Sequence, residues 1–216
     1  MNDYREITNW HKGITLEDLR GKLIKRGFNS VILNSIGEIH DYILKAIPNN
    51  ATVGFGGSVT LRETGIDRLL RERGNTVLDH WDKSLAPEQA LDIRKRQLTS
   101  DYFLTSLNAI TMEGELVNID GAGNRVAAMI FGPKHVIALA GYNKIVRNLD
   151  EALWRTKNIA SPRNSKRLNL ETPCAKKGYC MDCKHPVSIC RITTIIDYKP
   201  ILTEFTIILT PLELGF

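Results

Sequence analysis

The sequence predicts an α/β fold in which a mainly parallel sheet carries helices on both faces. Three observations favour this class. Short apolar runs of strand character alternate with segments of helical periodicity, as in a parallel sheet covered by helices. Glycine and proline mark the boundaries between these runs. Hydrophobic residues make up 43% and charged residues 25% of the 216-residue chain, which is typical of a globular domain with a buried core.

An N-terminal helical segment, residues 1–50, is predicted to contain two helices. The first begins after Thr15, an N-cap residue type, and stops at Gly27. A short strand at residues 30–33 precedes the second helix, which spans residues 35–47. The apolar face of the first helix consists of Leu16, Leu19, Leu23 and Ile24.

The middle of the chain continues the alternation of strand and helix. A buried strand beginning at Ala51 runs into a glycine turn, and a helix follows over residues 58–73. A strand at residues 76–79, a helix at 87–98 and strand character at 102–111 come next. Since parallel strands need crossover connections of this kind, these units predict the central sheet.

The last third of the chain is predicted to hold a hairpin, further strands and a helix. Glu113-Gly114 is the turn of the hairpin. We expect one domain over residues 1–216, with a four-cysteine loop at 172–192 and strands at its end. The remaining elements are a strand at 135–140, a helix at 148–159, and strands at 191–198 and 203–209.

Neither a membrane span nor a secretory signal is expected. No apolar run approaches the roughly 18 residues that cross a bilayer. The first residues, Met1 to Glu6, lack the basic and apolar regions of a signal peptide. We therefore expect a cytoplasmic protein, in which four cysteines favour metal ligands or reactive thiols over disulfides.

The excess positive charge lies in one segment. Nine of the 29 basic residues but only two of the 24 acidic ones fall between Arg155 and Arg191, so this segment carries +7 and the remainder −2. The same segment contains every cysteine. Because aromatic interleaving and a recognition-helix pattern are missing, the charge indicates a metal site and an acidic partner and argues against nucleic acid.

A glycine-rich loop stands where the second predicted strand gives way to a helix. Backbone N–H groups in such a loop converge on an anion, assisted by the positive end of the helix. The spacing matches neither the P-loop nor the dinucleotide fingerprint, and a tight turn capped by a serine is the structural alternative. The candidate anion-binding residues here are Gly54, Gly56, Gly57, Ser58 and Thr60.

Residues 106–125 form a polar segment within otherwise core-like sequence. Its carboxylates, Glu113, Glu115 and Asp120, are candidates for a general base or nucleophile, although turn formation also explains them. The catalytic candidates are Glu113, Asp120 and Asn124. Candidates to complete the anion site are Asn108, Thr111, Arg125, Lys134, Asn143 and Lys144.

Four cysteines, Cys174, Cys180, Cys183 and Cys190, lie within seventeen residues and predict a metal site. The C-x5-C-x2-C opening resembles the spacing of iron–sulfur ligands, whereas zinc ribbons pair two C-x2-C knuckles. We favour a 4Fe-4S cluster over zinc, which is the alternative. The surrounding basic residues suit thiolate ligands because positive charge stabilises an anionic centre.

Six stretches of the sequence together carry a resemblance to a known family. They are Thr60-Leu61-x-x-x-Gly65, the Ser106–Arg125 run, Phe131-Gly132-Pro133-Lys134, Gly141-x-Asn143-Lys144-Ile145-Val146, the cysteine segment and Leu214-Gly215-Phe216. Over most of the chain they look like the lactate-utilisation domain (LUD) family. The resemblance implies the fold of ribose-5-phosphate isomerase, glucosamine-6-phosphate deaminase and CoA transferases. It also implies a link to the oxidation of L-lactate to pyruvate beside iron–sulfur partner subunits, and it supplies no established catalytic residue.

The wider fold offers one further likeness. Asp120-Gly121-Ala122 is similar to the Asp-Gly-Ala segment of ribose-5-phosphate isomerases, but Gly123-Asn124-Arg125 follows where those enzymes have an acidic pair. Isomerase chemistry is therefore not favoured. A CoA transferase needs a glutamate nucleophile, which only Glu113 or Glu115 offers by loose analogy.

Three hypotheses on function follow. The first is a cytoplasmic iron–sulfur redox component of lactate oxidation, such as a subunit of a lactate-oxidising complex, which binds a small anionic substrate. The second is an isomerase or transferase acting on a phosphorylated or CoA-linked substrate. The third is a non-catalytic accessory or regulatory subunit in which a metal holds the C-terminal loop together. A homo-oligomer is compatible with all three.

Overall fold

Two β-sheets organise the structure, a computed structural model that describes residues 4–216. Within those residues, the central sheet has six strands, all parallel to their neighbours. The strands are β1 (Asn29–Ile32), β2 (Thr52–Phe55), β3 (Thr76–Asp79), β4 (Tyr102–Ser106), β5 (Ala109–Thr111), β6 (Leu116–Asp120), β7 (His135–Gly141), β8 (Ile145–Val146), β9 (Ile192–Ile196) and β10 (Glu204–Thr210). The strand order is β1-β10-β7-β4-β2-β3 in the central sheet and β8-β5-β6-β9 in the second.

Helices cover both faces of the central sheet. The helices are α1 (Tyr4–Lys25), α2 (Ile36–Ala46), α3 (Val59–Thr64), α4 (Ile66–Glu72), α5 (Pro87–Gln97), α6 (Asn124–Ile130), α7 (Leu149–Arg155), α8 (Ser161–Arg167) and α9 (Pro173–Lys177), with a 3-10 turn at Tyr142–Lys144 and a π-helix at Thr156–Ala160. A side-chain cluster on one face of the sheet joins α1 and α6 to the strands, and a cluster on the other face joins α2, α3 and α4 to them. Successive side chains of β4 point to opposite faces, since Phe103 belongs to the first cluster and Leu104 to the second.

The second sheet is small and mixed. β5 and β6 form an antiparallel hairpin, and β9 pairs antiparallel with the outer edge of β6. Ala152 of α7 packs against Ala109 and Val117 of the hairpin. This packing places the end of β6, at Asp120, beside the carboxyl edge of the central sheet.

The α/β prediction with a mainly parallel sheet is confirmed, and so is the hairpin turn at Glu113-Gly114. The expected start of the first helix is wrong. Helix α1 already begins at Tyr4, and the Thr15 hydroxyl donates to the backbone oxygen of His11 within it, so Thr15 is not an N-cap. Ile24 is 50% exposed and does not belong to the buried face. Gly27 ends the helix as predicted, with φ +86°.

Other expected elements are divided differently. The single helix expected at 58–73 is two helices, because Gly65 adopts φ +71° between α3 and α4. The helix expected at 148–159 continues through the π-helix into α8. The two final strands exist, but β9 belongs to the second sheet whereas β10 lies between β1 and β7. None of the helices of the described chain has the length and apolar composition of a membrane span.

The packing of β10 predicts where the core is sensitive. Phe205 is fully buried and meets Phe28 edge-to-face, with ring centroids 5.4 Å apart. Phe205→Ala should lower the free energy of unfolding in urea by about 3–5 kcal/mol, because it leaves a cavity in the core. Ile201→Ala is the matched control, since Ile201 is 93% exposed and its loss should change stability by about 0.5 kcal/mol at most. Equal effects of the two substitutions would contradict this packing.

Candidate functional site

A cavity of about 230 Å³ opens at the carboxyl ends of the central strands. Strands β2, β4 and β7 end there, so the segments that follow them meet at one edge of the sheet. The cavity brings together eight of the predicted site residues: Gly57, Ser58, Thr60, Asn108, Asp120, Asn124, Arg125 and Lys144.

The glycine loop has a steric reason for its composition. A Cβ atom added to Gly57 would lie 2.4 Å from Nε1 of Trp81, whose indole forms part of the cavity wall. Ser58 caps α3, since its hydroxyl oxygen accepts from the backbone N–H of Leu61 at 3.2 Å, and the same hydroxyl donates to the Ser106 hydroxyl at 2.8 Å. Ser58 is therefore the N-cap residue of α3, as the structural alternative expected, and its hydroxyl also lies at the cavity.

The guanidinium of Arg125 is buried beneath the glycine loop. It donates hydrogen bonds to four oxygen atoms of the protein. Burial lowers its pKa, while the carboxylate of Asp120, 3.5 Å from Nε, acts in the opposite direction. An arginine remains charged under such conditions, so Arg125 is a fixed cation beside the cavity. Its acceptors are the backbone oxygens of Ser106 and Ile119 and the side-chain oxygens of Asn108 and Asn118.

Lys144 is a second buried cation of the cavity. It is 2% exposed, and its Nζ donates to the backbone oxygen of Phe216, which also lines the cavity. Burial, reinforced by nearby guanidinium groups, lowers the pKa of Lys144 from 10.5 to about 7. Burial and the neighbouring guanidinium groups therefore disfavour the charged form of this amine. The charged groups that act on it are Arg155, Arg125, Glu63 and Arg163.

Asp120 carries the only acidic side chain among the described residues that line the cavity. Its Oδ1 accepts from the backbone N–H groups of Ala122 and Gly123 at 3.1 and 2.9 Å, and its Oδ2 faces Arg125. Both carboxylate oxygens of Asp120 therefore already have partners, namely backbone N–H groups of its own loop and the Arg125 guanidinium. The cavity as a whole is cationic and suits an anionic ligand.

Asn124 carries an unpartnered donor at this cavity. Its Nδ2 is buried and has no hydrogen-bond partner in the described part of the protein. An unpaired buried amide costs about 1–3 kcal/mol. An oxygen atom of a bound anion would satisfy it.

Four side chains of the cavity that could contact a ligand, His80, Trp81, Arg94 and Arg167, had no predicted role. His80 and Trp81 directly follow β3, so their position at a strand's carboxyl end was a usable signal. Burial lowers the pKa of His80 to about 4, and the Gln97 amide donates to its Nδ1 at 3.1 Å, so the ring is neutral. Arg94 lies on α5 and Arg167 on α8. Arginines are common on exposed helix faces, so the sequence gave no signal that these two belong to the cavity. The Arg167 guanidinium lies over the Trp81 ring at 3.9 Å.

Two of the predicted candidates lie far from the cavity. Glu113 is exposed at the hairpin turn, where its carboxylate accepts from Lys22 of α1 at 3.1 Å, so the structure does not support a catalytic role for it. Lys134 is exposed at the amino end of β7, the opposite edge of the sheet from the cavity.

The remaining candidates have structural roles. Thr111 is buried against the Glu115 carboxylate. Gly54 and Gly56 lie beneath the loop, since added Cβ atoms would come within 2.9 Å of the Phe103 ring. Asn143 contacts the backbone of Leu214 and Gly215 through both side-chain polar atoms, at 3.2 Å each, and so positions the segment that ends at the cavity.

A second cavity, of about 170 Å³, is lined by all four cysteines. Cys174 is buried on α9, Cys180 and Cys183 are half-buried in the loop that follows, and Cys190 is exposed at the rim, where partial burial of its thiol raises its pKa. Four thiols facing one space are a donor set suited to zinc or an iron–sulfur cluster. Within residues 4–216, however, no group of three or more His, Cys, Asp or Glu side chains has the arrangement of a metal site.

One layer of residues separates the two cavities. Ile119 of β6 lines both of them. Ala160 and Ile189 line the first, whereas the residues that follow them, Ser161 and Cys190, line the second. The π-helix ends at this wall, and such helices occur frequently at functional sites.

The low pKa of Lys144 predicts a pH dependence of stability. The unfolded chain keeps this proton up to about pH 10.5 and the folded chain only to about 7, so unfolding takes up a proton between these values. Stability should rise with pH in this window by at most about 1.4 kcal/mol per unit. Urea unfolding at pH 6–9 should show the free energy of the natural protein rising relative to Lys144→Met. Lys134→Met should run parallel to the natural protein, and a constant difference for Lys144→Met would contradict the shift.

Comparison with known proteins agrees with this architecture. A crystal structure of a DUF162 family protein from Deinococcus radiodurans superposes with a TM-score of 0.51, covering 92% of this chain and 98% of that chain. The two sequences are 13% identical, so this likeness concerns the fold alone. A comparison with curated proteins gives no match. The model of the LUD domain matches residues 16–210. Because that match spans most of the sequence, the chain belongs to the LUD domain family.

Proposed function

We propose that this LUD-domain protein is a redox component of lactate utilisation. In this proposal it binds a small carboxylate in the cationic cavity and holds a 4Fe-4S cluster on Cys174, Cys180, Cys183 and Cys190. The observation that carries the proposal is the adjacency of the two cavities, which share Ile119 as a wall. A cluster held by these cysteines would supply one-electron transfer beside the anion cavity.

The first cavity fits a small organic anion. A volume of about 230 Å³ is several times the roughly 30 Å³ that one water occupies, but it is below the usual range for larger ligands. Arg94 and Arg167 offer charge at the walls, and the Asn124 Nδ2 offers an unused donor. Lactate and pyruvate carry the carboxylate that these groups would hold.

The spacing of the cysteines along the chain favours a cluster over a single ion, because C-x5-C-x2-C resembles the spacing of iron–sulfur ligands and only Cys180 and Cys183 form a zinc-type C-x2-C knuckle. Zinc draws four sulfurs to about 2.3 Å from one point, whereas the cysteine ligands of a 4Fe-4S cluster bind separate iron atoms and stand further apart. All four cysteines line one space of about 170 Å³. Lys157, which lines the same cavity, adds positive charge near the thiolates.

An isomerase or transferase is less well supported. Its candidate carboxylates were Glu113 and Asp120, and Glu113 lies outside the cavity. Asp120 is engaged with its own loop and with Arg125. A metal site that only holds the C-terminal loop together would contain zinc, which metal analysis distinguishes from a cluster.

Metal content tests the cluster. Protein purified and reconstituted without oxygen should contain about four iron and four sulfide per chain, with broad visible absorption and an EPR signal on reduction. Cys180→Ser and Cys183→Ser should each lower the iron content strongly, while Val187→Ala, at an exposed position of the same loop outside the cavity, should leave it unchanged. Stoichiometric zinc in a colourless protein would contradict the redox role and favour the accessory one.

Calorimetric titration with L-lactate and pyruvate tests the anion cavity. Arg167→Gln should weaken binding by about 10–100-fold, since a charge-assisted hydrogen bond contributes about 1.5–3 kcal/mol. Lys134→Gln removes the same charge at the other edge of the sheet and should bind as the natural protein does. Binding that is equal in both variants, or that is absent from the natural protein, would refute this assignment of the cavity.

A further inference from the structure

We propose that strand β9 pairs with the same strand of a second copy of this chain, antiparallel and about a two-fold axis at Thr194. Two four-stranded sheets would then join into one sheet of eight strands. Such a contact uses the same surface on both copies, so it closes at two chains. The inference is independent of the proposed redox function.

The free edge of β9 is the first argument. One side of the strand pairs with β6, and the other pairs with no strand of the described chain. Proteins protect such edges with charges, prolines, bulges or very short strands. The sequence of β9, Ile-Thr-Thr-Ile-Ile, is β-branched throughout and has no charge or proline. Within residues 4–216 it is also the longest edge strand, with five residues against four in β1 and β3 and two in β8.

The side chains of β9 are the second argument. Ile192 and Ile195 lie on opposite faces of the sheet and are 38% and 42% exposed, and Thr193 is exposed as well. Cross-strand neighbours stabilise β-branched side chains, and β9 has such neighbours on one side only. In the proposed pairing, Ile192 of one copy lies opposite Ile196 of the other, and Ile195 lies opposite Thr193. Each exposed isoleucine thereby gains a β-branched neighbour on its own face of the sheet.

The charges at the two ends of β9 are the third argument, and they select the register. Arg191 precedes the strand and Asp197 follows it. With the axis at Thr194, Arg191 of each copy faces Asp197 of the other, so the pairing creates two contacts between opposite charges. Moving the axis by one residue in either direction sets Arg191 opposite Lys199 or Ile195 and loses both contacts.

Both charged side chains are available for these contacts. Asp197 is exposed and forms no ion pair within the described residues, where its backbone oxygen accepts from Arg26 at 2.7 Å. Arg191 is also exposed, and its guanidinium donates to the backbone oxygens of Pro186 and Ser188. These bonds hold the guanidinium at the start of the strand without an acidic partner. A carboxylate from a second copy would supply that partner.

Sedimentation and light scattering on charge-reversal variants test the pairing. The natural protein should form a dimer with twice the 24.3 kDa mass of one chain. Arg191→Asp and Asp197→Arg should each raise the dissociation constant of the dimer by about tenfold or more, because both cross-strand contacts become repulsive. Asp41→Arg is the matched control. It makes the same charge change as Asp197→Arg at an exposed position of α2 and should leave the dimer intact.

Mixing the two charge variants is the decisive measurement. Each chain of the mixture meets opposite charges on the other, so a heterodimer should form with the affinity of the natural protein although neither variant dimerises well alone. Misfolded variants would not recover in this way. The inference is overturned if the natural protein stays monomeric at millimolar concentration, if the charge variants dimerise as the natural protein does, or if the mixture fails to recover.

Discussion

The buried guanidinium of Arg125 is the interaction on which the site depends. It donates to the end of β4 at Ser106, to β6 at Ile119 and to the side chain of Asn108, and thereby joins the central sheet to the second one. A neutral residue there would leave several buried oxygens without a donor, each at a cost of about 1–3 kcal/mol. The wall of the cavity is therefore built around a charge that is already engaged with the protein.

More positive charge is buried around the first cavity than stability alone would favour. Lys144 lies near Arg125, Arg155 and Arg163, and Glu63 is the one acid acting on it prominently. Crowding like charges in a buried place lowers stability, and perturbed groups of this kind cluster at functional sites. The cations thus make the cavity favour an anionic ligand. A bound anion would offset part of their mutual repulsion.

The two cavities share a wall because of the path of the chain. The π-helix and α8 follow directly on α7, and the cysteine segment returns along β6 before β9 pairs with it. Ile119 therefore faces the anion cavity and the cysteine cavity at once. This arrangement explains why the basic segment with its cysteines and the glycine loop, which are far apart in sequence, are parts of one region.

The sequence by itself determined the α/β class, the glycine loop with Ser58 as a cap, and the grouping of the four cysteines, because periodicity, turn chemistry and ligand spacing are local properties. It also indicated eight of the 22 residues that line the first cavity. Only the tertiary structure removed Glu113 and Lys134 from the site and added His80, Trp81, Arg94 and Arg167. Which polar residues meet depends on strand order and on which end of a strand each follows. The burial that lowers the pKa of Lys144 likewise comes from segments distant in sequence, so no local pattern encodes it.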